Sequence, residues 1–391
     1  MPMMMRAAGP PGDLLPVTLA DPVCASPAAR RLRARCGGVG RELLKQVLNM
    51  KERANVLAVA DSREIILPAG AQHDDVLAPE AVEGIIAAKE SRSGLSSVGG
   101  DVNVLPLDAG LRSLLSAAPP SCTVLADCTA TDSVNPYIAS ALEHGYGVAL
   151  ANKKPVTSDQ AFFDSCMAYK SQFRWESTCG AGTPFISSLH RLCVARDTIH
   201  KVSGAFSGTL GYVMSGLEAG QAFSEVVAEA KGLGYTEPDP RDDLNGMDVA
   251  RKALILARMQ GWKLELADVE VESLFPESMS PENMSLEEFM ATGLPALDAK
   301  FQGLVEAAKA KGCALRYAAT VENGTCKVGP VEAPKDSALG SLQGTGNIME
   351  VTSDIYTSPL VITGAGAGVE CTAMGVLADV MNIHDGSQWG A

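Results

Sequence analysis

Thr123-Val-Leu-Ala-Asp-Cys-Thr129 is the stretch that best indicates how this chain folds. Its apolar residues predict a buried strand, and the strand ends in polar residues. A helical pattern follows from about Pro136 to Glu143, and Gly147-Val-Ala-Leu-Ala151 predicts the next strand. A strand, a helix and another strand in this order are typical of a parallel sheet with helices on both faces. We therefore expect a doubly wound α/β fold.

The alternation continues on both sides of this stretch. Residues 41–53 have apolar side chains at helical spacing, Asn55-Val-Leu-Ala-Val-Ala-Asp61 predicts a buried strand, and residues 62–100 form a more polar excursion. A second region begins after Pro155. The elements predicted there are helices over 159–172 and 185–196, a strand over 200–208, helices within 210–234, a hairpin over 316–330 that turns at Asn323-Gly324, a strand at 360–362 and a helix ending near Met381.

Composition excludes several classes of protein. The 391 residues carry a net charge of −14, which argues against nucleic acid or an anionic membrane as partner. No apolar run in the sequence reaches membrane-spanning length. The ten cysteines form no CxxC pair and no zinc spacing, so we expect reduced thiols in a reducing compartment, the cytoplasm or a plastid.

Arg35-Cys-Gly-Gly-Val-Gly40 is a partial dinucleotide motif. Such a site needs a tight glycine turn between a strand and a helix, where backbone N–H groups meet the pyrophosphate. Gly37 and Gly40 occupy the second and third glycine positions, with Gly38 and Val39 between them, but Arg35 occupies the first. Residues 28–33 are not a convincing strand, so the motif alone is a weak signal.

The end of the predicted strand 55–61 bears on the choice of cofactor. Asp61 could hold a ribose hydroxyl, which favours NAD, whereas Arg63 beside Ser62 could accept a 2′-phosphate, which favours NADP. The preference stays open at this stage. Lys153, in Asn152-Lys-Lys154, follows a buried strand where ligands bind in open α/β sheets, although a basic surface turn explains it equally well.

Gly234-Tyr-Thr-Glu-Pro-Asp-Pro-Arg-Asp-Asp-Leu-Asn-Gly-Met-Asp-Val-Ala-Arg-Lys252 concentrates charged residues. Its prolines prevent the first part from being helical, and a helix begins near Asp243 or Asn245, either of which can cap it. Asp248 and Lys252 are four residues apart and share a face with apolar residues, which suits a lysine that does proton chemistry. The alternative is an ordinary surface ion pair beside a solvated acidic loop.

Two further glycine-rich segments could face ligands. Gly364-Ala-Gly-Ala-Gly368 precedes a helix and indicates either a close backbone approach to a cofactor or tight strand–helix packing. Glu176 and the turn Cys179-Gly-Ala-Gly-Thr183 could surround a hard cation with one carboxylate and backbone carbonyls. The five histidines show no metal or triad spacing, and we interpret them as structural or surface residues.

Taken together, these motifs closely resemble the homoserine dehydrogenase family. The likeness runs from about Gly37 to Met381 and is greatest to the dehydrogenase portion of bifunctional aspartokinase–homoserine dehydrogenases and to the fungal monofunctional type. The stretches that carry it are 152–154, 180–182, Phe206-Ser-Gly-Thr-Leu-Gly211, 234–252 and 364–368.

The resemblance implies NAD(P)H-dependent interconversion of L-aspartate 4-semialdehyde and L-homoserine, in threonine, methionine and isoleucine biosynthesis. It also implies a homodimer and a role for each matched residue. Lys252 would be the general acid, Lys153 would lie near the nicotinamide and the substrate, and Glu237, Asp243 and Asp248 would form the substrate site. The cofactor would contact Gly37, Gly38, Val39, Gly40, Ser62, Arg63, Thr129, Lys153 and Gly368, and sodium would be held by Glu176 with the carbonyls of Cys179, Ala181 and Thr183.

The expected architecture is a Rossmann-like doubly wound nucleotide-binding domain plus an α+β catalytic and dimerisation domain. We assign residues 36–155 to the first domain, completed by about 340–391, and residues 156–340 to the second. Residues 1–35 are predicted to be an irregular, disordered segment, either a targeting or linker sequence or a mis-joined N-terminus.

One departure from the family motivates two rival interpretations. The family begins with a hydrophobic strand before its glycine motif, whereas this chain has arginine-rich sequence before Gly37. If that strand is missing, the sheet has an unfilled slot, and the chain would be a catalytically impaired relative. The other rival is an oxidoreductase of the same fold that acts on a different amino-acid aldehyde.

Overall fold

The computed structural model describes residues 2–7, 17–21, 37–50, 53–70, 75–117 and 123–384. The chain divides into a first unit, residues 1–182 with 368–391, and a second unit, residues 183–367. These boundaries differ from those expected from the sequence. Residues 156–182 belong to the first unit and residues 340–367 to the second, because the strands after residue 340 join the second sheet.

The first unit is built from eight strands and seven helices among its described residues. The strands are β1 (Pro2–Ala7), β2 (Val17–Asp21), β3 (Ala54–Asp61), β4 (Glu64–Pro68), β5 (Val102–Pro106), β6 (Thr123–Asp127), β7 (Gly147–Leu150) and β8 (Phe173–Arg174). The helices are α1 (Gly38–Leu48), α2 (Pro79–Glu90), α3 (Leu107–Ala117), α4 (Asn135–Glu143), α5 (Lys153–Val156), α6 (Gln160–Met167) and α15 (Val369–His384), with short 3₁₀ turns at Leu95–Ser97 and Glu176–Thr178.

The first sheet has the order β5-β4-β3-β1-β6-β7-β8, with β2 also paired to β3 and β6. Strands β6, β7 and β8 are parallel, as the doubly wound fold requires. Strands β3, β4 and β5 are antiparallel instead. The polar excursion 62–100 contains strand β4 and helix α2, and β5 follows it, none of which the sequence pattern indicated. Only Ser62 and Arg63 separate β3 from β4, and a two-residue connection can join only antiparallel strands.

The slot between β3 and β6, which a missing first strand would leave empty, is filled. Strand β1 pairs antiparallel with both β3 and β6, and β2 pairs parallel with the same two strands. Both segments lie within residues 1–35, so that region is not irregular in these two places. If the slot were empty, the backbone N–H and C=O groups of β3 and β6 that face it would be buried without partners, which costs free energy. The arginine-rich stretch 28–35 lies outside the described residues.

Helices cover the first sheet and close its core. Buried side chains of α1, α2 and α15, among them Leu43, Ile85 and Val376, pack in one cluster with Val59 of β3 and Ile66 of β4. Helix α15 comes from the C-terminal segment of the chain and lies against α1 and β7. Helices α1 and α15, distant in sequence, therefore lie together in the first unit.

The second unit is an α+β layer structure. Its strands are β9 (Ile199–Ala205), β10 (Glu270–Val271), β11 (Cys313–Glu322), β12 (Thr325–Pro334), β13 (Gly346–Ser353) and β14 (Leu360–Ala365). Its helices are α7 (Phe185–Val194), α8 (Gly208–Glu218), α9 (Phe223–Gly232), α10 (Arg241–Leu244), α11 (Met247–Met259), α12 (Leu286–Glu288), α13 (Leu294–Ala310) and α14 (Ala338–Ser341), with 3₁₀ turns at Leu266–Asp268 and Glu277–Met279 and a π-helical turn at Phe289–Gly293.

The second sheet has the order β10-β12-β11-β9-β13-β14. Helices α8, α11 and α13 all pack against β11. The hairpin predicted from the sequence is confirmed, since β11 and β12 pair antiparallel over their full lengths. Asn323 and Gly324 form its turn with φ of 53° and 78°, the left-handed pair that a tight hairpin turn needs.

Candidate active site

Lys252 is a buried lysine on α11, with only 7% of its surface exposed. Its Nζ lies 2.8 Å from Asp248 Oδ2 and donates to the carbonyl oxygen of Phe206 at 2.5 Å. Ile255 and Leu256 on the same helix are fully buried. The interpretation of Lys252 as a lysine held out of water beside a carboxylate is confirmed. The contact with Phe206 was not predicted, because it joins residues 46 apart in sequence.

Helix α11 begins differently from the prediction. Its N-cap is Gly246, with φ of 76°, rather than Asp243 or Asn245. An added Cβ at Gly246 would lie 2.0 Å from Tyr317 Oη, so only glycine fits this position. Asp243 lies in the short helix α10 instead, and the Asn245 side chain accepts the N–H of Met247 at 2.8 Å. The sharp turn at Gly246 separates the two helices.

Asp243 and Glu237 are joined inside the acidic turn. Asp243 Oδ2 accepts the backbone N–H of Glu237 at 2.7 Å. The pKa of Asp243 is raised to about 6, chiefly by burial. The charges of Glu237 and Asp248 also raise it, whereas the hydrogen bonds with the Glu237 N–H and with Thr209 lower it. Among the described residues, the buried Oε2 of Glu237 has no hydrogen-bond partner. The turn thus gathers three carboxylates and keeps one buried acceptor available.

The two remaining acids of the turn have other surroundings. Asp239 forms a salt bridge with Arg241 at 2.6 Å, and the buried Arg241 guanidinium also donates to the carbonyls of Met279 and Met284. Asp242 is exposed. Asp239 therefore anchors the turn, through Arg241, to the segment after β10.

At the nucleotide side, α1 begins within the glycine motif. Gly37 precedes α1, and no side chain among the described residues caps the helix there. A Cβ at Gly38 would lie 2.7 Å from Val369 Cγ1, so glycine permits α1 and α15 to approach closely. An open helix N-terminus beside small residues suits a phosphate group. Arg35 and Cys36 lie outside the described residues.

Asp61 is occupied by contacts within the first unit. Its Oδ1 accepts the N–H groups of Arg63 and Glu64 at 2.8 and 2.9 Å, and its Oδ2 forms a salt bridge with Lys89 of α2 at 2.5 Å. Lys89 was not identified from the sequence, because it lies 28 residues away. Ser62 and Arg63 are exposed in the turn between β3 and β4.

Asn152 connects the carboxyl ends of β6 and β7. Its Nδ2 donates to Asp127 Oδ2, to Thr129 Oγ1 and to the carbonyl of Thr131, at 2.7 to 2.9 Å. Its Oδ1 accepts the N–H of Lys154 and caps α5. Because Lys153 is the first residue of α5, this network fixes Thr129 and Lys153 at the same edge of the sheet, where ligands bind in this fold.

The predicted cation segment is a buried turn. Gly180 and Ala181 have φ of 82° and 54°, so successive carbonyls are turned in different directions. Glu176 is buried, and its N–H donates to Asp379 Oδ2 at 2.8 Å. Burial and the charge of Glu176 raise the pKa of Asp379 well above its usual range. Cys179 and Ala181 are buried in the first unit, and Thr183 is buried in the second.

The described residues contain neither a cluster of metal-binding side chains nor a membrane-spanning helix. No group of three or more His, Cys, Asp or Glu side chains in these ranges is placed to hold a metal ion. The cation site expected at residues 176–183 is of a different kind, because backbone carbonyls and a single carboxylate would form it. Within the same ranges, no helix has the length and apolar character needed to cross a bilayer.

A doubly wound nucleotide-binding sheet together with a buried lysine–carboxylate cluster defines the class of NAD(P)-dependent oxidoreductases. Two family models match almost all of the described chain. The model "Homoserine dehydrogenase, NAD binding domain" matches residues 36–174, and "Homoserine dehydrogenase" matches residues 184–381. The chain belongs to the homoserine dehydrogenase family.

Individual relatives agree with this assignment. A homoserine dehydrogenase of Paracoccidioides brasiliensis is 35% identical over 364 residues, 89% of this chain and 95% of the relative. The bifunctional aspartokinase/homoserine dehydrogenase of Haemophilus influenzae is 36% identical over 359 residues, 88% of this chain but 41% of the relative. This chain therefore spans less than half the length of the bifunctional protein.

A solved structure shares the fold. A hyperthermophilic archaeal homoserine dehydrogenase in complex with NADPH has a TM-score of 0.67 and 20% sequence identity, over 94% of this chain and 97% of the other. At this identity the likeness concerns the fold alone.

Proposed function

We propose that this chain catalyses the NAD(P)H-dependent interconversion of L-aspartate 4-semialdehyde and L-homoserine. The observation that carries the proposal is Lys252, whose ammonium is buried between Asp248 and the Phe206 carbonyl in a chain of this family. The product would feed threonine, methionine and isoleucine biosynthesis. The nicotinamide cofactor supplies the hydride, and the protein supplies orientation, charge and a proton.

Lys252 is the proposed general acid. An aldehyde that accepts a hydride becomes an alkoxide, which needs one proton to become the alcohol. The ammonium of Lys252 can donate this proton from Nζ, and Asp248 and the Phe206 carbonyl hold Nζ in place. In the reverse direction the neutral amine accepts the proton from the alcohol. Lys153 is the second proposed catalytic residue, near the nicotinamide and the substrate.

The acidic turn is the proposed site for the substrate's amino group. Glu237 has a buried oxygen without a partner among the described residues, and an ammonium donor would satisfy it. Asp248 adds a second carboxylate, and Asp243 holds the backbone of Glu237. A substrate ammonium would also offset the charge repulsion within this cluster. An aldehyde without an amine would leave Glu237 unsatisfied, which disfavours substrates that lack an amino group.

The first unit is proposed to hold the cofactor through Gly37, Gly38, Val39, Gly40, Thr129, Lys153 and Gly368, with Ser62 and Arg63 at the adenosine end. We infer a preference for NADPH. The Asp61 carboxylate is engaged by two N–H groups and by Lys89, so it is a poor partner for the ribose diol of NADH. The exposed Arg63 lies directly beside it and can accept a 2′-phosphate.

The turn 176–183 is proposed to bind sodium through Glu176 and the carbonyls of Cys179, Ala181 and Thr183. The donor set fits a hard monovalent cation, since it consists of oxygen atoms and one carboxylate. Glu176 and Asp379 are both buried, and a cation would offset the repulsion between their charges.

The second sheet supports a homodimer. Strand β14 is an edge strand with exposed Val361, and the preceding loop exposes Ile355 and Tyr356. An apolar edge strand favours pairing with another strand, and a second copy of the chain supplies a matching one. The seven described cysteines form no disulfide bond, which suits a reducing compartment, the cytoplasm or a plastid.

The decisive experiment is an NADPH oxidation assay with L-aspartate 4-semialdehyde, run beside NADH. We expect turnover with NADPH and a higher KM for NADH. Arg63→Ala should raise the KM for NADPH about tenfold, because a charge-assisted hydrogen bond is lost, and should leave NADH kinetics unchanged. Purified, folded protein that binds NADPH and does not reduce the aldehyde would refute the proposed reaction.

A further inference from the structure

Asn347 is a buried amide with unused hydrogen-bonding capacity. It lies near the start of β13, and none of its surface is exposed. Among the described residues, neither Nδ2 nor Oδ1 has a hydrogen-bond partner. A carboxamide carries two donors and an acceptor, and burying all of them unpaired is rare in folded proteins. Such a residue needs a partner in some state of the protein.

The surroundings of Asn347 identify that partner. A Cβ added at Gly366 would lie within 1.8 to 2.2 Å of the Asn347 Cγ, Nδ2 and Oδ1 atoms, so the Gly366 backbone lies directly against the carboxamide. Strand β14 leaves the sheet after Ala365, and beyond that point strand pairing no longer supplies partners for the backbone. A peptide unit offers one N–H and one C=O, which complement a carboxamide.

Asn347 also lies close to the proposed chemistry within the second unit. In the sheet register it is opposite Gly364 on one side, and its neighbour Ile348 is opposite Ala205 on the other. Ala205 immediately precedes Phe206, whose carbonyl holds Lys252. The Gly364–Gly368 run therefore begins beside Asn347 on β13 and ends at a proposed cofactor contact.

We propose that Asn347 is a positioning residue for the cofactor. In the cofactor-bound state its carboxamide hydrogen-bonds the backbone of the Gly364–Gly368 run and fixes the position of Gly368. This rests on the proposed function, since it needs a nicotinamide cofactor at Gly368. Because these hydrogen bonds form only in the cofactor-bound state, Asn347 contributes to cofactor affinity. It does not contribute to the stability of the free protein.

Asn347→Leu tests this separation, because leucine has a similar volume and no polar atoms. We expect the melting temperature of the free protein to stay the same or rise, since a buried unpaired amide is removed. The Kd for NADPH, measured by cofactor fluorescence, should increase about tenfold. Amide hydrogen exchange of residues 364–368 should slow on NADPH addition in the wild type and not in the variant.

A double-variant cycle with Gly366 separates hydrogen bonding from space filling. Gly366→Ala should weaken NADPH binding, because its Cβ would clash with Asn347. In Asn347→Ala/Gly366→Ala the clash is gone. If hydrogen bonds are required, the double variant binds NADPH no better than Asn347→Ala. Recovery of wild-type affinity would show that Asn347 only fills space and would overturn the proposal.

Two further outcomes distinguish this inference from the proposed function. Wild-type protein that fails to bind NADPH would refute the cofactor assignment and the role of Asn347 with it. Normal wild-type binding, combined with unchanged NADPH affinity and a lowered melting temperature in Asn347→Leu, would refute the positioning role alone.

Discussion

At the residue scale, the proposed site of the second unit has polar groups that hold Lys252 and buried polar atoms that lack a partner among the described residues. Asp248 and the Phe206 carbonyl contact the lysine ammonium directly. Glu237 and Asn347 each have a buried polar atom without a partner among the described residues. A buried polar group without a partner costs free energy in the free protein, and a ligand that pairs with it offsets that cost.

Lys252→Ala should abolish most of the proton transfer. We expect turnover to fall by about 10²–10⁴ with NADPH affinity unchanged, since a general acid acts only in the chemical step. The protein should stay folded, because Asp248 is about half exposed, at 48%, and remains hydrated without the lysine. Lys327→Ala, which removes an exposed lysine paired with Glu270, is the matched control. Turnover near that of the wild type would contradict the assigned role.

Asp243 should make stability depend on pH. Its folded pKa of about 6 exceeds the unfolded value, so the folded state binds more protons between about pH 4 and pH 6. Stability therefore falls as pH rises through this window and is lowest above it. Asp243→Asn should remove the dependence and stabilise the free protein at pH 7 by roughly 2–3 kcal/mol, measured by urea unfolding.

Asp336, in the turn between β12 and α14, supplies the control for this measurement. Its side chain is exposed, so Asp336→Asn should change the free energy of unfolding by less than about 0.5 kcal/mol. An Asp243→Asn protein whose stability keeps the wild-type slope between pH 4 and pH 6 would show that Asp243 is not the titrating group.

At the element scale, the sequence predicted the presence of a helix after the acidic turn more accurately than the residue at which that helix begins. The sequence indicated one helix beginning near Asp243 or Asn245, whereas the structure contains α10 and α11 with Gly246 between them. Asp243 and Asn245 are good capping residues by type, but the contact between Gly246 and Tyr317 decides where α11 begins. Tyr317 lies on β11, so no local pattern could have indicated this.

Gly246→Ala should therefore be strongly destabilising. A left-handed φ of 76° is unfavourable for alanine, and the added Cβ would clash with the Tyr317 hydroxyl. We expect a loss of about 2–4 kcal/mol in the free energy of unfolding. Tyr317→Phe in the same chain should recover part of this loss, because it removes the clashing oxygen.

Gly303→Ala is the matched control within helix α13. A Cβ there would have no atom within 4 Å, and its backbone is helical. Alanine should stabilise that helix by about 0.5–1 kcal/mol. Equal effects at Gly246 and Gly303 would mean that neither the turn nor the Tyr317 contact constrains the start of α11.

At the scale of the whole molecule, β14 is the edge at which we expect a second copy to pair. A dimer would have a mass near twice 40.7 kDa by light scattering. Val361→Lys places a charge on the exposed side of the edge strand and should shift the protein towards monomer. Val194→Lys, at an exposed apolar position on α7, is the control. A Val361→Lys protein that stays dimeric would place the interface elsewhere.

The sequence by itself determined the α/β alternation around 123–151, the hairpin turn at Asn323-Gly324 and the pairing of Asp248 with Lys252. Each depends on spacing along the chain, where periodicity and turn chemistry act over a few residues. Only the tertiary structure decided that β1 and β2 occupy the central slot, that Lys89 neutralises Asp61 and that Phe206 holds Lys252. It alone also placed Gly366 against the amide of Asn347. These contacts join distant residues, and packing of whole elements selects them.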